Sequence, residues 1–180
     1  MPPLAPRKMS ATQKQAADAV IEGPRGALIG PFIPALRSPE FMTRLQSLGE
    51  YLRYYSALGP RLGELVILLT ARLWTQNFEW HVHAPLAKKH GVKRAVISAI
   101  AEGRRPLTMR DDEALVYDFF MELSHNRSVS DATYSRAVKQ FGERGVIDLT
   151  GAVGYYSTLA MIMNVARTPS PETVLQPFPP

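Results

Sequence analysis

Glu64 is the only acidic residue between Glu50 and Glu79, and it sits in the most apolar stretch of the chain, from Arg61 to Trp74. A carboxylate carried into an interior must be paired, hydrogen-bonded or held neutral, because unpaired burial of charge is costly. Two readings are open: a structural ion pair with Arg61 or with an arginine from another helix, or a carboxyl of raised pKa poised for proton transfer. The second cluster is Gln76-Asn77-Phe78-Glu79-Trp80-His81-Val82-His83. On a helix Gln76, Glu79 and His83 share one face. Glu79 and His83, one turn apart, could hydrogen-bond and raise the basicity of the imidazole, form one edge of a metal site, or be an ordinary helix-surface pair. Two ligands do not make a metal site and no matching pair occurs elsewhere, so no metal is expected. His81 points about 200° away from His83 at ~100° per residue, which separates the two imidazoles on the helix.

Composition narrows the chemistry. The 180 residues suit one domain, and 46% hydrophobic with 21% charged residues is a globular balance. The chain has no cysteine, which excludes disulfides, zinc–thiolate and iron–sulfur sites, thiol peroxidase chemistry and a cysteine nucleophile. Net charge is +5, with basic residues scattered; the densest run, Lys88-Lys89-His90 with Lys93-Arg94, reads as a solvated helix end. Without a recognition motif or interleaved aromatics, nucleic-acid binding is not expected, whereas a small anionic substrate suits the charge. No apolar run reaches the roughly 18 residues of a membrane span, and the N-terminus lacks the apolar stretch of a secretion signal, so cytoplasmic residence is expected. No phosphate loop or G-x-S-x-G elbow is present. Tyr54-Tyr55 and Tyr155-Tyr156 read as core and interface residues, and Asn164 as a hydrogen-bonded interior amide.

The elements that must position these residues are all helical. Ser10 caps a helix through about Ile21. The stretch from Gly23 to Pro39, with Pro24, Pro31 and Pro34, is irregular and packs onto the body. Ser38-Pro39-Glu40 starts a helix running to about Leu58. Arg61–Trp74 is apolar nearly all round and therefore buried. Asn77–His90 stops at Gly91, with Pro85 either kinking it or marking its true start. Lys93–Glu102, Thr108–Ser124, Ser130–Phe141 (ending at Gly142) and Ile147–Val165 complete the set. No strand alternation is sustained. The expectation is an all-α bundle of about seven helices at residues 10–167, between a flexible N-terminal tail at 1–9 and a Pro-rich C-terminal tail at 168–180, both read as free tails rather than wrapped on a neighbour.

These residues resemble the carboxymuconolactone decarboxylase family, within the alkylhydroperoxidase D-like superfamily. The likeness rests on Arg61-Leu62-Gly63-Glu64-Leu65, Ala71-Arg72, the run from Phe78 to Ala87, Gly91-Val92 and Ile97, and more weakly on Val129-Ser130-Asp131, Tyr134 and Gly154-Tyr155-Tyr156. It extends from about Arg25 to Arg167. The thiol-dependent branch has a glutamate, eleven residues, a C-x-x-C pair, three residues and a histidine; Glu64 and His83 match, but Gln76 and Glu79 stand at the cysteine positions. The cysteine-free branch, with its E-W-x-x-H segment, is matched by Glu79-Trp80 and His83. The resemblance implies an all-helical protomer in a trimer or hexamer, pockets near subunit contacts, and a decarboxylase needing no metal or organic cofactor.

The family reaction converts γ-carboxymuconolactone to an enol-lactone with loss of carbon dioxide. The conjugated lactone carbonyl can accept the electrons left behind, so the substrate is its own sink. On this reading His83 delivers the proton, and Glu64 or Glu79 sets its protonation state. Arg72 and Gln76 orient the carboxylate and stabilise the enolate, and Phe78 and Trp80 supply apolar walls. His81 completes the candidate substrate-binding set. The rival readings are an isomerase, hydratase or lyase acting on another small acid, and a non-catalytic oligomeric protein on the same scaffold.

Overall fold

The computed structural model describes residues 1–170 and Phe178. Helix α1 (Ala11–Glu22) begins at a reciprocal cap: the Ser10 hydroxyl accepts from the Gln13 amide, and the Gln13 side chain accepts from the Ser10 amide. The proline-rich stretch that follows is irregular except for one short helix, α2 (Phe32–Ala35). Helix α3 (Pro39–Tyr54) starts with proline in its first turn, and the Ser38 side chain before it makes no capping bond. It also stops at Tyr54 rather than Leu58.

Helix α4 (Gly59–Leu73) is the hub. It packs against α3, against α5 (Asn77–Lys89) and α6 (Arg94–Ala101), and against α7 (Asp111–Asn126) and α8 (Asp131–Ala166). Surrounded on all sides, it needs apolar residues on all sides, which is why Leu65, Val66 and Leu68 are fully buried on consecutive faces. Pro85 lies inside α5 without ending it; the helix forgoes only the bond that Pro85 cannot donate. The expected break at Gly142 is present as a kink, with φ 70° and ψ 171°, but the helix resumes at once instead of waiting until Ile147. The all-α class is what the structure shows. There are eight α-helices and no strand among the described residues: the proline-rich stretch adds a short helix, and the two expected last helices run as one kinked helix.

The main core lies around α4. A smaller one, containing Val20, Phe32, Leu36 and Met42, joins α1, α2 and α3. The N-terminal residues are not free of the body. Pro6–Lys8 form a 3-10 turn, Leu4 and Met9 pack on the smaller core, Arg37 donates to the Pro2 carbonyl at 2.7 Å, and the Met1 amino group donates to the Ala166 carbonyl. Of the expected C-terminal tail, residues 168–170 follow α8 and Phe178 is buried on Trp80, ring centroids 5.0 Å apart; 171–177 and 179–180 lie outside the described residues. Among the described residues α8 is the one helix long and apolar enough to cross a membrane by length and composition, yet 56% of its most apolar window is buried in the protein, as in a core helix.

One close approach depends on glycine. Gly49 on α3 faces the Tyr155 hydroxyl and the Arg25 guanidinium so closely that a Cβ there would overlap the phenol oxygen. Gly49→Ala is therefore expected to destabilise the protein by about 1–3 kcal/mol through overpacking. Chemical denaturation measures it, and an unchanged midpoint would show that α3 and α8 separate freely.

Candidate active site

Glu64 and His83 meet. Glu64 projects from α4 and His83 from α5, and the His83 Nδ1 lies 2.8 Å from the Glu64 Oε2, both side chains buried. With Glu64 as the acceptor, Nδ1 carries the ring proton and Nε2 is the nitrogen left for other work. The second Glu64 oxygen lies 3.9 Å from Arg53 on α3. Arg61 plays no part in this pair. It binds Asp112 and Glu113 at the start of α7, at 2.5 and 2.8 Å. The partner of His83 is thus Glu64, and no hydrogen bond joins His83 to Glu79 on its own helix.

Glu79 nevertheless shares the cavity. His83, Glu79, Phe78 and Val82 line one wall of a space of about 210 Å³, the spacing on α5 that puts one helix face together. Glu79 is 3% exposed, and its Oε2 has no hydrogen-bond partner among the described residues. Burial alone pushes its carboxyl well above the usual carboxylate range, which favours the neutral, protonated form. The Tyr156 ring meets His83 edge to face at 6.1 Å, and burial holds its phenol protonated as well. The cavity therefore presents an imidazole with a carboxylate behind it, beside two neutral O–H groups.

The remaining walls come from distant parts of the chain. Arg25, Ile29, Pro31 and Phe32 close one side, and Leu159 and Met163 of α8 another. Arg25 reaches in from the proline-rich stretch, donating to Gln46 and, at 3.1 Å, to the Tyr155 hydroxyl, with its guanidinium 4.5 Å from the Phe32 ring. Arg25 and Arg53 are the cations of this cavity, and sequence reasoning missed both, along with Tyr156. The signals for the last were the Tyr155-Tyr156 pair, read as core and interface residues, and its place in the weaker part of the resemblance.

The other expected substrate-binding residues are placed elsewhere, except Phe78. Arg72 lies two turns of α4 beyond Glu64, about 12 Å along the axis at 1.5 Å per residue, and does not line this cavity. Gln76 caps α5, accepting from the Phe78 amide at 2.9 Å, and donates to Asn164 at 2.7 Å. Asn164 in turn donates to the Trp74 carbonyl at 2.9 Å, so this exposed amide ties the α4–α5 turn to α8. Trp80 faces Phe178 and His81 stands half-buried on α5, neither in the cavity wall.

The helical bundle and its site define a cysteine-free protein with a buried carboxylate–imidazole pair beside a cavity. Residues 39–108 match the model of the Carboxymuconolactone decarboxylase family. The matched segment holds Arg53, Glu64, Glu79 and His83, but not Arg25 or Tyr156, and is shorter than the resemblance read from the sequence. Neither the comparison with curated proteins nor that with solved structures returned a match.

Proposed function

We propose that the protein decarboxylates a small, unsaturated, anionic lactone or related acid in the cytoplasm. The observation that carries this reading is the buried Glu64–His83 pair, whose imidazole lines a cavity that also holds the buried Glu79 carboxyl. In the reaction, the bond between the ring carbon and its carboxylate breaks and carbon dioxide leaves. The electron pair passes into the conjugated carbonyl as an enolate, and a carbon of that system then takes one proton. His83 delivers that proton from Nε2, and Glu64 holds the ring oriented and offsets the positive charge of the imidazolium. Glu79 and Tyr156, as neutral donors, stabilise the enolate oxygen; a carboxyl kept neutral by burial can donate a hydrogen bond as an ionised one cannot. Arg53 and Arg25 attract and orient the anion, and Phe78, Phe32 and Leu159 provide the apolar surroundings that favour loss of charge from the reacting carboxylate.

Release of carbon dioxide from a panel of lactone acids tests the reading. Proton exchange or double-bond migration without gas release would replace it with an isomerase using the same groups. Glu64→Gln, which keeps the shape but removes the charge behind the imidazole, is expected to cut turnover at least about tenfold and to alter the pH–rate profile. An unaltered profile would reduce Glu64 to a partner of Arg53.

The functional unit is proposed to be a homo-oligomer, a trimer or hexamer. Tyr55, Ile147 and Val165 are 63%, 69% and 75% exposed, which leaves large apolar side chains for contacts between copies. Light scattering on the purified chain measures the assembly.

A further inference from the structure

A second cavity, of about 230 Å³, opens where α4, α6 and α7 converge, and it shares no lining residue with the first. Its polar groups are all basic or neutral: Arg72 from α4, Arg104 just past α6, Tyr117 and His125 from α7. Arg72 is the most telling. Its Nε is buried without a hydrogen-bond partner, and no acid pairs with it among the described residues. The Gly103 backbone, at φ 72°, leaves the guanidinium the space that a Cβ would fill, with the Arg72 Nη2 only 2.8 Å from that position. Phe178 supports the guanidinium from outside, 5.3 Å from its ring. An arginine held in place with an unused donor is a group waiting for an acceptor.

The other groups agree with that. Arg104 uses its Nε on Glu102 and His125 holds Nδ1 on the Met121 carbonyl at 3.0 Å, which among the described residues leaves the Arg104 terminal nitrogens and the His125 Nε2 uncommitted. The walls are apolar and partly aromatic, with Leu69, Ile100 and Phe120 deep in the core. The volume lies below the ~300–1,000 Å³ of ordinary ligand pockets, which points to a single-ring ligand.

We propose that this cavity binds a small organic anion, its acid group held by Arg72 and Arg104 and its apolar ring packed on Leu69, Ile100 and Phe120. The site stands apart from the proposed reaction, and neither depends on the other.

Calorimetric titration of the full chain carrying Arg53→Ala, which removes a cation of the first cavity, separates the two. Benzoate and phenyl phosphate are expected to bind once per chain in the low-millimolar range or tighter, and inorganic phosphate at least about tenfold more weakly, because it has no ring to bury. Adding Arg72→Gln should weaken benzoate at least about tenfold. Arg104→Gln alters an exposed side chain, so it cannot threaten the fold, and should weaken binding severalfold. Benzoate binding indifferent to both substitutions, no binding at all, or inorganic phosphate binding as tightly as benzoate would each overturn the proposal.

Discussion

Replacing His83 with alanine is expected to lower turnover roughly 10²–10⁴-fold, the usual contribution of a positioned proton donor, while the helical fold persists. His83 is one of two buried polar side chains on α5, with Glu79, and the cavity already adjoins the ring. Truncation therefore enlarges an existing space. It also strips Glu64 of its near partner, leaving only Arg53 at 3.9 Å, so some stability is lost along with activity. Two measurements separate the effects: turnover at saturating substrate, and the thermal transition of the same variant. Added imidazole, which can enter the space left by the ring, should restore part of the activity. Wild-type turnover in the folded variant would end the assignment of His83 as proton donor.

Glu79→Leu is expected to move stability and activity in opposite directions. Leucine is similar in size and brings no polar atom, so it relieves the buried oxygen that has no partner. Turnover should fall roughly 10²–10³-fold, as for loss of one donor to a developing oxyanion. Glu79→Gln, which still carries an N–H donor, should lose less. The pH dependence has a definite sign. Burial raises the folded-state pKa of Glu79 well above its ordinary value, so above that ordinary value the folded chain holds a proton that the unfolded chain has released. Wild-type stability attributable to Glu79 is therefore greatest below about pH 4, near the ordinary glutamate value, and declines as pH rises toward the folded-state value. The leucine variant lacks that decline. Its thermal transition should gain on the wild type steadily from acid to neutral and alkaline pH. A constant difference across pH would mean that Glu79 is ionised in the folded protein, and the proposed hydrogen-bond donor would be lost.

The two kinds of residue in the cavity have different origins in the chain. Arg53, Glu64, Glu79 and His83, the groups that would move or hold protons and charge, all lie within residues 39–108. Phe32, Leu159 and Met163, which shape the space around a substrate, lie outside that segment, as do Arg25 and Tyr156, which add a cation and a neutral donor. Chemistry and substrate choice can therefore diverge separately, and substitutions at Phe32 or Leu159 are the place to look for altered substrate preference.

Local periodicity was enough to show that α4 is buried on every side, that Glu64 lies within it, and that Glu79 and His83 share a face of α5. The lack of cysteine settled by itself that no thiol acts here. These features were legible because each depends on residue type and on spacing within one helix. The identity of the partners was not. Glu64 chose His83 and Arg53 over Arg61 because α7 brings Asp112 and Glu113 to Arg61, a meeting of residues fifty positions apart that no spacing encodes. Arg72 shares a helix with Glu64 but opens into a different cavity, since two turns of rise carry it past the His83 wall. Arg25 and Tyr156 reached the site from a proline-rich stretch and from the last helix, through packing angles that only the assembled bundle sets.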